Sequence, residues 1–71
     1  MKIVLDTKDI MLLQRRDILY HAEHDYTEDE ALELLDRVRD AEVEYAQDSD
    51  NEKEKLFFQY SALGDKIFNQ I

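Results

Sequence analysis

One glycine, at position 64, is the only residue in this 71-residue chain with unrestricted backbone freedom, and the chain has no proline and no cysteine. The tight turns of a sandwich, barrel or multi-strand meander depend on Gly, Pro and Asn-Gly pairs, so a sheet fold lacks its turn chemistry. Without cysteine there is no disulfide staple, no thiolate zinc site and no thiol nucleophile. Helices joined by short polar links remain, and the length suits one domain, residues 1–71.

Helix start signals occur three times. Asp6 with Asp9 makes a capping box with Asp in place of Glu, flanked by Leu5 and Ile10 at staple positions. Thr27 with Glu30 makes a second box, and Glu28, Asp29 and Glu30 place negative charge at the positive end of the helix dipole. Ser49 with Glu52 makes a third, with Asp50 as an alternative cap. The signals predict helices over roughly 7–24, 28–47 and 50–70, about 27, 30 and 31 Å long. Matched lengths and short connections predict an all-α fold, an antiparallel up-down-up three-helix bundle. Met1–Leu5 is open to a short strand, though no second strand is evident to pair with it; it reads rather as an extended lead-in, or as a segment that pairs across an oligomer interface.

Angular spacing at 100° per residue supports these spans. In the second helix Ala31, Leu34, Leu35, Val38, Ala41 and Tyr45 share an arc of about 120°. In the third, Leu56, Phe57, Tyr60, Leu63, Ile67, Phe68 and Ile71 share about 140°. Gly64 lies in that arc, and a mid-helix glycine costs about 1 kcal/mol relative to Ala, so close approach of the first helix is expected there. The first helix is less regular: Met11, Ile18 and Ala22, then Leu12 and Leu19, then Leu13 and Tyr20, form three stripes over about 220°, more than two neighbours cover. Arg15 and Arg16 interrupt this surface, with stems that can lie over apolar neighbours. Phe58 and Ala62 point away from the third helix's core arc. A domain of this size without disulfide or metal is marginal alone. A homodimer is therefore expected, with Leu12, Leu19, Phe58 and Ala62 at its interface.

The charge is unevenly placed. Eighteen acids against nine bases give −9, which opposes direct binding to a nucleic acid backbone. Residues 27–54 hold twelve acids and three bases; the remainder is balanced, six against six. Asp29, Glu33, Asp36, Asp40 and Glu44 gather on the outer side of the second helix. Asp36–Asp40, Asp40–Glu44 and Glu44–Asp48 are like-charge pairs four residues apart, each unfavourable by about 0.2–0.5 kcal/mol. A charge run of this kind usually serves as a solvated face that keeps a small protein soluble, although a surface tuned only for stability would mix the signs more. The run is a candidate docking face for a basic protein partner, and its acids, spaced roughly 5–6 Å along the helix, also resemble a nucleic acid strand's phosphates.

Catalytic and metal constellations are weak. Asp17, His21 and His24 would share one side of the first helix and offer three ligands to a divalent metal. Histidines in a last helical turn more simply favour its dipole, with Asp17 as partner to His21. Asp48-x-Asp50-x-Glu52 begins like a calcium loop but has Lys53 and Gln59 where the turn glycine and bidentate glutamate belong. No nucleophile elbow or phosphate loop is present. Tyr45 and Tyr60 fall on core arcs, their hydroxyls free to reach outward, and Tyr26 is placed to pack over a first helical turn. The longest apolar runs, Ile3–Leu5, Ile10–Leu13 and Ile18–Tyr20, are too short for a membrane span or a signal peptide. The sequence thus reads as a small acidic cytoplasmic protein, not an enzyme and without cofactor, serving as a structural or oligomeric interaction module. The alternative is a regulator or inhibitor that docks a basic partner through the second helix, as a nucleic acid mimic or otherwise.

Overall fold

The computed structural model describes residues 1–46 and 51–71. It contains three helices, α1 (Thr7–Arg15), α2 (Glu28–Ala46) and α3 (Asn51–Phe68), and no strand among the described residues. The all-α reading holds. Both capping boxes within the described residues form. The Asp6 carboxylate accepts from the Asp9 amide at 2.9 Å and Asp9 returns the contact to the Asp6 amide at 3.1 Å. Thr27 and Glu30 do the same at 3.2 and 3.1 Å. Tyr26 and Ala31, on either side of the second cap, are both in the core, as the staple arrangement requires. The Ser49–Glu52 box, the Asp50 cap, the Glu44–Asp48 pair and the start of the calcium-like run lie outside the described residues.

The largest departure is in the first helix, which ends at Arg15, not at residue 24. The chain closes there with a Schellman arrangement. Asp17 takes a left-handed conformation (φ 55°), its amide donates to the Gln14 carbonyl at 3.1 Å, and the Ile18 amide donates to the Leu13 carbonyl at 2.9 Å. Leu13 and Ile18 are both buried, which supplies the hydrophobic contact that accompanies this motif. Glycine normally occupies the left-handed position; Asp is one of the few other residues that tolerates it. The three apolar stripes are resolved by the same event. Ile18 and Tyr20 reach the core from the turn and following segment, while Leu19 points to solvent. The 220° arc of a continuous helix does not exist, and neither do three helices of matched length.

The core is built mainly between α2 and α3, which pack closely. Ala31, Leu34, Leu35, Val38 and Ala41 of α2 meet Tyr60, Leu63 and Ile67 of α3, with Ile3, Leu13, Ile18 and Tyr26 closing the remaining sides. Tyr45 stacks on Tyr60 with centroids 5.5 Å apart. The Tyr60 hydroxyl points inward rather than outward, donating to the Leu12 carbonyl at 2.6 Å. In a continuing helix that carbonyl would receive the Arg16 amide, which turns instead to Leu13 and Gln14. Phe68 and Ile71, expected in the core, are exposed at the end of the chain.

Gly64 is buried and closely approached, but by α2 and not by α1. A Cβ there would stand 2.7 Å from Nη1 and 2.8 Å from Cζ of Arg39. The guanidinium lies across α3 at that point and donates to Glu42 at 2.8 Å, to Asp65 at 2.9 Å and to the Ser61 carbonyl at 3.5 Å. Residues 1–5 are an extended segment held on both sides. The Tyr26 amide donates to the Met1 carbonyl at 2.5 Å, the Tyr20 hydroxyl to the Ile3 carbonyl, and Val4 exchanges two hydrogen bonds with the Gln70 side chain at 2.7 and 2.9 Å. Ile3 is buried as a result.

Candidate functional site

Asp29, Glu33, Asp36, Asp40 and Glu44 are all exposed along α2. Glu33 pairs with Arg37 at 3.2 Å and Glu44 with Arg16, whose guanidinium also lies 5.6 Å from the Tyr45 ring centre. Among the described residues, Asp29, Asp36 and Asp40 make no ion pair. Three carboxylates on one face thus keep their full field toward solvent. The last turn of α2 contains no base to offset the negative end of its dipole.

At the N-terminal edge of this face lies a cleft of about 330 Å³, bordered by Leu19, His21, His24, Tyr26, Glu30 and Arg37 among others. His24 pairs with Glu30 at 2.9 Å and sets its ring edge-on to Tyr26, centroids 4.6 Å apart. The Glu30 carboxyl is held below the usual carboxylate range, first by the Thr27 backbone amide and then by His24. The His21 amide donates to the Tyr26 hydroxyl at 3.0 Å. These histidines therefore belong to the segment between α1 and α2 and not to a last helical turn, and Asp17 is spent on closing α1. Among the described residues no group of three or more acids and histidines is placed to hold a metal.

A larger groove, about 660 Å³, runs between α1 and α3. Met11, Leu12, Leu56 and Ala62 supply its apolar lining, and Asp6, Lys8, Asp9, Arg15 and Gln59 its polar margin. Met11 is 63% exposed. Of the four residues expected at an oligomer interface, Leu12 and Ala62 share this groove. Phe58, 61% exposed, lies one helical turn before Ala62. Leu19, 78% exposed, borders the histidine cleft instead. The groove as such was not legible in sequence, because Leu56 falls on a core arc and the placing of α1 beside α3 depends on residues far apart in the chain.

Among known protein families, curated proteins and solved structures, none matches this chain. No helix among the described residues is long and apolar enough to cross a membrane.

Proposed function

We propose that this chain is a non-enzymatic interaction module that works as a homodimer, a single helical domain in an up-down-up order, residing in the cytoplasm and needing no cofactor. The observation that carries the reading is the open apolar groove between α1 and α3, with Met11 exposed in its lining and Phe58 exposed one helical turn before its Ala62. Large apolar side chains grouped around a concave surface are characteristic of an interaction site. Tyr45 opposite Tyr60 and Arg39 opposite Asp65 support an antiparallel α2–α3 pair, since moving along one helix moves backward along the other. Sedimentation at micromolar concentration tests the dimer: a mass of twice 8.5 kDa is expected, and the chain mass alone would refute it.

A second reading is favoured by the unpaired acids of α2. In it Asp29, Glu33, Asp36, Asp40 and Glu44 dock a basic protein, with carboxylates standing where nucleic acid phosphates would. Electrostatic capture of this kind weakens steeply with salt. Pull-down from source-cell lysate at about 50 and about 500 mM salt should recover a partner only at the lower value. The double variant D36K/D40K should lose it. A partner retained at both salts, or by the variant, would argue against this docking face.

A further inference from the structure

We propose that two copies associate about a two-fold axis, each seating its Phe58 in the α1–α3 groove of the other; this rests on the self-association reading above. The knob and the hole are neighbours on one face. Phe58 stands one turn before Ala62, and the small Ala62 side chain opens the groove on the α3 side. Phe58 is 61% exposed and touches its own chain through an edge contact to Phe57, with centroids 5.4 Å apart. The space is adequate: a dry apolar cavity of about 150 Å³ takes up benzene, and this groove measures about 660 Å³. A pair in which each copy gives one knob and receives one is isologous and closes on itself, so it ends at two copies.

Charge selects the occupant. The chain's −9 resides in residues 27–54, so copies repel wherever two α2 faces meet. At the groove margin Asp6 and Asp9 are already paired with Lys66, at 3.5 and 2.6 Å, which leaves the charges of Lys8 and Arg15 uncompensated there. Lys8 and Arg15 make no ion pair among the described residues. Glu54 is exposed one turn before Phe58, so inserting that ring carries Glu54 toward the α1 wall of the other copy, where those two bases stand. A basic partner is drawn to α2 rather than to this groove, and a second copy meets the groove through α3, away from the acidic α2 face. The surface that matches the groove in both shape and charge is the chain's own.

Sedimentation equilibrium of the full chain and its variants over a concentration series tests this, with circular dichroism to establish that helix content is kept. F58S and A62E should each weaken dimerisation by about thirtyfold or more, the scale of a central aromatic anchor. K8E and E54K should each weaken it less, and K8E/E54K together should recover most of the loss. L19S should leave it unchanged. If the chain is dimeric but F58S or A62E dimerises as well as the parent, the seating is wrong while self-association stands. If K8E/E54K is weaker than either single change, the pairing of α1 with the other copy's Glu54 is wrong. If the parent is monomeric throughout, both fail.

Discussion

Asp17 holds a left-handed backbone, and that conformation decides where α1 ends. A non-glycine residue there carries a steric cost that glycine does not. D17G should stabilise the fold by about 0.5–1 kcal/mol, and D17V should destabilise it by about 1–2 kcal/mol, read from urea unfolding midpoints. Equal effects for the two would mean the turn is not under this constraint. Tyr60 acts at the other side of the same event, since its hydroxyl serves a carbonyl released when α1 tightens. Y60F keeps the ring and removes the donor, leaving a part-buried acceptor without its partner, and should cost about 0.5–1.5 kcal/mol by the same measurement. Neither role is visible in sequence. Asp17 looked like a helical partner for His21, and nothing local distinguishes a tyrosine bonded inward from one that reaches solvent.

At the scale of elements, starts were legible and one stop was not. Asp6 and Thr27 cap their helices through contacts three residues away, so the information is entirely local. The α1 stop depends on Ile18 returning to Leu13 in the core, a gain that exists only once the core exists. Gly64 shows a similar division. Its helix cost signalled a close approach, but the identity of the visitor, Arg39, came from how α2 lies on α3. A double-mutant cycle separates the terms. With Arg39 removed, G64A should gain about 1 kcal/mol from helix propensity. With Arg39 present the new methyl displaces the guanidinium from Glu42 and Asp65, partly exposed pairs of about 0.2–1 kcal/mol each, and the gain should shrink to near zero. A coupling of about 0.5–1 kcal/mol between G64A and R39A is expected; no coupling would mean that the guanidinium yields without loss.

Across the whole molecule, stability should be bounded on both sides of neutral pH. Burial raises the Tyr60 and Tyr20 hydroxyls above the ordinary tyrosine value. The unfolded chain then ionises first, so their contribution is complete below about pH 10 and is lost as pH rises beyond it. On the acid side the signs reverse. Asp6 is lowered chiefly by the Asp9 backbone amide and Glu30 by that of Thr27. Their contribution is present above about pH 4 and disappears as pH falls through the depressed values. Thermal unfolding across pH should show both limbs, with the alkaline one shallower in Y60F; an unchanged alkaline limb would mean that Tyr60 does not titrate on unfolding. The sequence by itself determined that the protein is helical, where two helices begin, which face of α2 is buried and where the acids collect. Each of these follows from periodicity or from contacts within one turn. Only the tertiary structure decided that α1 stops after nine residues, that His21 and His24 leave the helix, and that Met11, Leu12, Leu56 and Ala62 line one open groove. The physical reason is that ending α1 exchanges local helical hydrogen bonds for burial of Ile18 and a hydroxyl from Tyr60, and that exchange depends on residues far apart in the chain.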